Sequence, residues 1–438
     1  MQRTALGFLW IGLYLFVVLA PVLLMLAPPT PTGRSFWVEL SIALGFVGLT
    51  QMGIQFLLIG RFQPLTTPYG MDVVLKYHRQ IAVVALVFIL LHPVLILIEH
   101  PARVALLNPL GGTYASKFGI ASVVALLAIT ATSIWRQRIN IKYEHWRLLH
   151  ALLGVGALVF AQAHISLAGN YVNTLWKQVL WLVSSAALVS LVAYLRLVKP
   201  ALQRRRPWRV TGVRQDGGEM VDVDIEAVGH EGFRFEPGQF AWIKVGDDPY
   251  TLEEHPYSFA SSAEEVGRLS FGIKALGDFS SRAQHLEKGT TVYVDGPHGA
   301  FSIDRDQAPG YVFIAGGVGI TPMMSFLNTL ADRGDPRPVL LLYSTNEEHE
   351  LAYREEIEAL RDRLDLETVY VLDEPPHDWV DEEGKVTKDL LDRRIPKERY
   401  TRRFFICGPG PMMDAAREAL MAQGVPRSHI HWEEFALA

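Results

Sequence analysis

Cysteine is almost absent from this chain of 438 residues, which contains only Cys407. A single thiol excludes internal disulfides and iron–sulfur clusters, which take several thiolate ligands. It also excludes covalent haem attachment through a Cys-x-x-Cys-His motif. A basic footprint for nucleic acid is missing as well, because the formal net charge is −5. Long EF-hand extensions are absent, so we expect neither nucleic acid nor calcium as a partner.

Charge is scarce before residue 198, although half of the whole chain is hydrophobic and 20% is charged. Each apolar run there reaches the roughly 20 residues that a helix needs to cross the hydrocarbon of a bilayer. The first run is too long and too weakly flanked for a cleaved signal peptide. We therefore predict a polytopic membrane domain of six helices, with lipid as a partner. The predicted spans are 6–27, 36–59, 73–98, 114–135, 147–168 and 174–198.

Lysine and arginine gather in the connections after the second and fourth spans and directly after the sixth. Under the positive-inside rule this places both termini, and the whole second half of the chain, in the cytoplasm. We therefore predict a multi-pass protein of the inner (cytoplasmic) membrane. The basic residues on the predicted inner side are Arg61, Lys76, Arg79, Arg136, Arg138, Lys142, Arg147, Lys199, Arg204, Arg205, Arg206 and Arg209.

Four histidines form two pairs with the same spacing inside the apolar runs. His78 and His92 are 14 residues apart in the third span, and His150 and His164 are 14 residues apart in the fifth. Fourteen residues make about 3.9 helical turns and roughly 21 Å, so both members of a pair lie on one helix face. Because both spans run in the same direction, the histidines match in depth. Each cross-helix pair can hold one b-type haem iron through neutral imidazoles.

Charged residues beside these histidines have two interpretations. Arg79 and Arg147 can neutralise haem propionates near the inner pair, or they can be ordinary positive-inside flanking residues. Glu99, His100 and Arg103 follow the third span on the outer side. They can shape an electron-acceptor site or form a solvated loop.

After Lys199 the chain becomes charged and rich in glycine and proline turns. Short alternating strands between 207 and 302 predict a small antiparallel β-barrel. Buried strands alternating with helices from about 310 predict a doubly wound parallel α/β domain. We place the membrane domain at 1–200, the barrel at 205–304 and the α/β domain at 308–438.

The barrel sequence contains a candidate flavin site. An aromatic ring can stack on a flavin, a neighbouring hydroxyl can bond a ring nitrogen, and a histidine can face a pyrophosphate. A turn into a helix N-terminus suits a phosphate, although a serine there can simply cap the helix. The candidate residues are His255, Pro256, Tyr257, Ser258, Lys274, Gly277, Phe279 and Ser280.

The α/β domain contains a candidate nicotinamide-nucleotide site. A glycine-rich turn follows the YVFIA strand and precedes a helix, an arrangement that lets a dinucleotide approach the backbone. Cys407 ends a later strand, where open α/β sheets place ligands, or it is a small buried hydrophobe. Phe435 can cover the flavin or pack on the core. The candidates here are Gly316, Gly317, Gly319, Thr321, Pro322, Cys407, Gly408, Pro409 and Phe435.

Together these motifs resemble the superfamily of NADPH oxidases and ferric reductases over nearly the whole chain. The resemblance implies that His78 and His150 hold an inner haem and that His92 and His164 hold an outer haem. It implies that HPYSF is the flavin motif, that GGVGITP is the nucleotide motif, and that CGPGPMM lies near the nicotinamide. The closing WEEF resembles the terminal aromatic that shields the flavin, although three residues follow it here. It also implies catalytic roles for Tyr257, Ser258, Cys407 and Phe435.

The sequence departs from this family after the LLYS strand. Many NADPH users carry an arginine there for the 2′-phosphate, whereas here Glu347 and Glu348 follow. Tyr343, Ser344 and Thr345 can still hydrogen-bond a phosphate, but the acids would repel it. NADPH and NADH therefore both remain candidate donors.

These inferences predict a transmembrane oxidoreductase. Electrons would pass from cytosolic NAD(P)H through FAD and two b-type haems to an outer acceptor. That acceptor would be oxygen, giving superoxide, or a ferric chelate. Two alternatives stay open: an electron donor to a periplasmic redox partner, and a haem-bearing membrane sensor without steady turnover.

Overall fold

The computed structural model describes residues 2–25, 27–29, 34–62, 70–108 and 110–434. The chain forms two compact units. One unit contains Met1–Phe62 and Val74–Val198, and the other contains Gln63–Val73 and Lys199–Ala438.

The first unit is built from long helices. Five helices in the described part of the chain are long and apolar enough to cross a membrane, and α1 adds a shorter apolar stretch over Phe8–Leu24. The helices are α1 Gln2–Met25, α2 Phe36–Leu58, α3 Met71–Glu99, α4 Tyr114–Trp135, α5 Tyr143–Ala168 and α6 Leu175–Ala193. Large apolar side chains such as Ile134 and Leu182 are exposed on their surfaces, as expected where lipid replaces water. The helical fold class predicted for this half is confirmed.

Polar side chains define where several of these helices begin and how they pack. Ser35 caps α2 and Thr113 caps α4, each through its hydroxyl oxygen. The Ser122 hydroxyl of α4 donates to the Ala157 carbonyl of α5 over 2.8 Å. Interhelical hydrogen bonds of this kind hold helices together where lipid removes the hydrophobic driving force. They fix α4 against α5, the helix that carries two of the four histidines.

In the second unit, the short helix α7 is followed by an antiparallel sheet. Its strands are β1 Trp208–Asp216, β2 Met220–Ala227, β3 Phe240–Val245, β4 His255–Ser258, β5 Arg268–Lys274 and β6 Thr291–His298, and α7 is Lys199–Gln203. The strand order is β4-β3-β6-β1-β2-β5. A bridge between Phe259 and Phe271 joins the two edges, which closes the sheet as the predicted barrel requires. The short helix α8, Asp278–Ala283, follows β5.

The rest of the unit is a parallel sheet covered by helices. The strands are β7 Tyr311–Gly316, β8 Val339–Thr345, β9 Leu366–Leu372, β10 Glu382–Glu383, β11 Arg403–Cys407 and β12 Ile430–Glu433, in the order β10-β9-β8-β7-β11-β12. The helices are α9 Ile320–Asp332, α10 Arg354–Leu360, α11 Lys388–Arg394 and α12 Gly410–Ala422. Strand order reverses at β7, so β7 and β11 form the switch point where such sheets bind ligands. The predicted α/β fold is therefore confirmed.

Candidate functional site

The four membrane histidines meet in two pairs. The imidazole centres of His78 and His150 are 6.3 Å apart, and those of His92 and His164 are 6.2 Å apart. Two imidazoles bound to opposite faces of one iron would place their centres about 6 Å apart, with metal–nitrogen bonds of about 2.0 Å and a ring radius of about 1 Å. Both observed separations match the spacing of paired axial ligands.

Hydrogen bonds from Nδ1 fix the orientation of two of these rings, and a third ring has a longer polar contact. His92 Nδ1 lies 2.9 Å from the Ser41 carbonyl oxygen, and His164 Nδ1 lies 2.7 Å from the Ala115 carbonyl oxygen. A carbonyl only accepts, so each Nδ1 carries the proton and each Nε2 keeps a lone pair for a metal. His150 Nδ1 lies 3.3 Å from the Ser133 hydroxyl. In metal-bound histidines, the ring nitrogen that does not bind the metal typically has a hydrogen-bond partner of this kind.

Two glycines make room for the rings of His92 and His164. A Cβ added at Gly45 on α2 would lie 3.3 Å from His92 Nδ1, and one at Gly119 on α4 would lie 2.9 Å from His164 Nδ1. Both rings are thus seated against helix backbone, where a methyl group would intrude. A cavity of about 970 Å³ reaches the rings of His92 and His164, at the upper end of the range for sites that hold large organic ligands. The residues present therefore fit a porphyrin at this pair.

Residues with predicted secondary roles lie near both pairs. His100 and Arg103 line the same cavity, together with Arg34 just before α2, so basic side chains contribute to its wall. Arg147 lies over the Tyr143 ring at 6.0 Å, one turn before His150, and Arg79 is exposed.

The flavin candidates cluster on β4 and α8. The rings of His255 and Tyr257 lie 4.3 and 6.1 Å from the Phe279 ring. Burial, together with the charge of Glu253, raises the pKa of the Tyr257 phenol, which therefore stays neutral. Ser258 is buried, and its hydroxyl has no hydrogen-bond partner among the described residues. An orphaned buried hydroxyl beside an aromatic ring fits a flavin edge.

Ser280 has a structural role in the turn before α8. Its hydroxyl oxygen accepts hydrogen bonds of 2.9 Å from the backbone N–H groups of Leu276 and Gly277, and the hydroxyl donates to the Gly277 carbonyl. The hydroxyl is therefore engaged in the turn, and of its two predicted roles the structure favours the cap. Lys274 ends β5 and is half-buried.

The two nucleotide motifs come together at the switch point. A Cβ at Gly319 would lie 2.1 Å from the Cys407 carbonyl oxygen, so only glycine fits that close approach. Gly317 adopts a φ of +52°, and Gly316 packs against Pro409 and Met412. The glycine-rich turn after β7 therefore packs directly against the segment at the end of β11.

Some predicted nucleotide residues are buried instead. Tyr343 is 0% exposed, and its hydroxyl oxygen accepts from the Ala352 N–H over 3.2 Å, so its predicted phosphate role does not fit. The Cys407 thiol is also fully buried, and burial, together with the charge of Glu433, raises its pKa. Its backbone, rather than an ionised thiol, meets the glycine turn. Ser344 stays half-buried at the end of β8, and Phe435 lies outside the described residues.

The barrel and the parallel-sheet domain share a polar junction within their unit. Tyr353, with a φ of +60°, donates from its hydroxyl to buried Asp222 over 3.1 Å, and Arg214 pairs with the same carboxylate at 2.5 Å. Gly218 N–H donates to the His349 carbonyl over 2.6 Å. The β1–β2 turn therefore holds the segment that follows β8.

Three protein families match this chain in succession. Residues 44–161 match "Ferric reductase like transmembrane component", residues 207–302 match "FAD-binding domain", and residues 313–418 match "Oxidoreductase NAD-binding domain". Their order along one chain is that of a membrane electron-transfer protein fused to a flavin reductase.

This succession is the architecture of the NADPH oxidase and ferric reductase superfamily. The second half of the chain thus contains an FAD-binding domain and an oxidoreductase domain that binds a nicotinamide nucleotide. The apolar helices and the ferric-reductase-like domain make it a membrane protein.

Proteins similar to this chain include reductases. It is 32% identical to the reductase component of propane 2-monooxygenase from Rhodococcus jostii, over 52% of this chain and 62% of that protein. It is 31% identical to NADH-cytochrome b5 reductase 1 from Debaryomyces hansenii, over 39% of this chain and 62% of that protein. The chain thus spans about three fifths of the length of these relatives. A ferredoxin reductase structure from carbazole 1,9a-dioxygenase is 25% identical, with a TM-score of 0.47 over 52% of this chain and 69% of that one.

Sequence reasoning missed several residues at these sites. Ser41, Gly45 and Gly119 contact histidines on other helices, and no spacing rule connects them. Asp373 follows β9, and its N–H donates to the Thr345 carbonyl over 3.1 Å, which places this acidic residue next to the end of β8. An acid directly after a buried strand was the available signal for Asp373.

Proposed function

We propose that this protein is a transmembrane oxidoreductase that delivers electrons from cytosolic NADH or NADPH, through FAD and two b-type haems, to an acceptor at the outer face. The observation that carries the proposal is the pair of imidazole separations, 6.3 and 6.2 Å, on helices fused to a flavin reductase. The positive-inside distribution supports a cytoplasmic reductase half and an inner-membrane location.

In this proposal the four histidines would hold the haem irons. His78 and His150 would hold the inner haem, and His92 and His164 the outer one. Haem iron supplies one-electron redox chemistry when bound. The chain keeps Nδ1 of His92 and His164 protonated and bonded to carbonyls, which leaves each Nε2 for the metal.

The barrel residues would hold and shield the flavin. FAD supplies the step from two-electron hydride chemistry to single electrons. Tyr257 offers a neutral ring for stacking, and the Ser258 hydroxyl is available to bond a ring atom. Phe435 at the C-terminus stays a proposed shield for the flavin.

The nucleotide would lie across the end of β7, with its adenosine ribose near the end of β8. Glycines at 316, 317 and 319 leave room for the phosphates. Glu347 follows β8 and Asp373 follows β9, so two carboxylates lie near the expected ribose. Acids there suit a ribose 2′-hydroxyl and repel a 2′-phosphate. We therefore propose NADH as the preferred donor.

The acceptor would enter through the outer part of the cavity. Arg34, His100 and Arg103 line it, and their cationic or polar groups favour an anionic ferric chelate or stabilise superoxide formed from oxygen. An electron leaving a negative interior gains roughly 2.3 kcal/mol per 100 mV, so the outward direction is favoured. A periplasmic redox partner at this face is the alternative acceptor.

The test uses the full chain in detergent or nanodiscs. Purified protein should contain FAD and two haems with low-spin Soret bands, and NADH should reduce the haems under argon. Admitting air or ferric citrate should reoxidise them, and superoxide dismutase-sensitive dye reduction would identify oxygen as the acceptor. Haem that stays reduced with every acceptor would instead support the sensor alternative.

Variants assign the outer haem in this test. Replacing His92 and His164 by alanine together should remove one haem and stop transfer to external acceptors while NADH still reduces FAD. His145→Ala serves as the matched control, because His145 is an exposed histidine of the same helix α5. Retention of both haems in the double variant would refute the ligand assignment.

A further inference from the structure

Ser41 on α2 makes three polar contacts with His92 on α3. Its carbonyl oxygen lies 2.9 Å from His92 Nδ1, and its hydroxyl oxygen lies 3.1 Å from the same nitrogen and 2.6 Å from the His92 carbonyl oxygen. Ser41 is fully buried. One small residue therefore contacts both the ring and the backbone of a proposed metal ligand.

The protons in this cluster can be assigned from donor and acceptor chemistry. The hydroxyl of Ser41 donates to the His92 carbonyl, because that carbonyl has no proton to give. The hydroxyl proton is then used, so both oxygens of Ser41 accept from the single Nδ1–H of His92. The shared hydrogen bond fixes the tautomer and holds the ring on the α2 side, where Gly45 leaves space for it.

The proposed inner pair, His78 and His150, has weaker hydrogen bonding at Nδ1. Ser133 donates its hydroxyl proton to the Ile129 carbonyl over 2.7 Å, and its oxygen is 3.3 Å from His150 Nδ1. That distance is beyond the usual 2.7–3.2 Å for an N–H···O hydrogen bond. The outer ligands, with carbonyl partners at 2.9 and 2.7 Å, therefore have the stronger Nδ1 hydrogen bonds.

A stronger acceptor at Nδ1 makes the imidazole a more basic ligand. A more basic ligand stabilises ferric over ferrous iron, and second-shell hydrogen bonding is one way in which a protein sets haem potentials. We propose that Ser41 is a positioning residue that holds His92 and sets the outer haem at the lower midpoint potential of the two. This inference rests on the proposed function, which supplies the haems.

The test is a potentiometric titration of the full-length protein, followed by absorbance at the α-band. Wild-type protein should show two one-electron transitions, and the double alanine variant of His92 and His164 should lack the lower one. Ser41→Ala removes the hydroxyl contacts with the ring and the backbone of His92 and keeps the carbonyl. It should raise the lower transition by about 59 mV, equivalent to a tenfold change in the reduction equilibrium, and leave the upper one in place. Ser41→Cys, which keeps a weak hydrogen-bonding group, should give a smaller shift.

Ser185→Ala is the matched control, since Ser185 bonds its own helix at the Trp181 carbonyl over 2.7 Å. It should leave both transitions unchanged. Loss from Ser41→Ala of the same haem that the double variant loses also supports the inference. Equal shifts of both transitions, no shift, or disappearance of the upper transition in the double variant would overturn it. Wild-type protein without haem would refute the proposed function itself.

Discussion

Gly119→Ala offers a direct test of how the proposed outer haem site is built. The added Cβ would lie 2.9 Å from Nδ1, 3.3 Å from Cε1 and 3.4 Å from Cγ of the His164 ring. Carbon normally approaches such atoms to about 3.5–4.0 Å, so the ring or the helix must move by several tenths of an ångström. Movement of the ring also lengthens its 2.7 Å hydrogen bond to the Ala115 carbonyl.

The expected cost follows from the size of this clash. Inserting a methyl group into a packed site typically costs about 1–3 kcal/mol. If that cost falls on the haem-bound state, affinity for the outer haem drops about 5- to 150-fold. Gly45→Ala should have a smaller effect, since its Cβ would reach only 3.3 Å from His92 Nδ1. Gly12→Ala is the control, because nothing lies within 4 Å of its added Cβ.

The assay is haem transfer from purified protein to excess apomyoglobin, followed at the Soret band. Wild-type protein should release its two haems in two phases. Gly119→Ala should accelerate one phase, the phase that is missing from the double alanine variant of His92 and His164. Unchanged release, or acceleration of the other phase, would show that the glycine does not provide clearance for the outer ring.

Three further predictions concern the reductase half. Gly319→Ala should slow NADH-driven flavin reduction roughly 100-fold, because overpacking at this turn costs about 2–3 kcal/mol. Bound FAD should be retained. An unchanged rate of flavin reduction in stopped-flow measurements would contradict this prediction. Asp373→Ser should raise the NADPH to NADH ratio of kcat/KM about tenfold by removing a charge that repels the 2′-phosphate, whereas Glu418→Gln, an exposed acid on α12, should leave the ratio unchanged. Desolvation raises the pKa of Asp306, but its ion pair with Arg403 at 2.8 Å lowers that pKa overall. The contribution of this ion pair to the free energy of unfolding is therefore complete above about pH 4, the ordinary pKa of aspartate. Stability should fall below that pH, and Asp306→Asn should flatten this dependence in FAD-release measurements.

The membrane fold was accessible from sequence because hydropathy is a local signal. The predicted spans 36–59 and 114–135 agree within a residue with α2 and α4. α5 begins at Tyr143, four residues before the predicted start, because charged residues in its first turn hide the helix from hydropathy. The histidine spacing was also local, since both members of each 14-residue pair lie on one helix.

Contacts between helices were not accessible in the same way. Ser41 and Gly119 look like ordinary small residues of a membrane helix, and their partners lie 51 and 45 positions away. Helix packing decides which small residue faces which ring, and the apolar pattern does not encode that choice. Tyr343 shows the same limit in the soluble half. Its strand is buried on both faces, so alternation could not reveal that its hydroxyl points into the core.

Spacing along one helix and contacts between helices have different consequences for the proposed site. Ligand spacing within α3 and α5 decides whether two irons can be held at two depths, and any pair of parallel helices with such histidines meets that condition. Partners on α2 and α4 decide how tightly each imidazole is held. Carbonyls and glycines hold His92 and His164, whereas among the described residues His78 Nδ1 has no hydrogen-bond partner. Substitutions on the helices around the outer pair should therefore alter haem binding and potential more than equivalent changes around the inner pair.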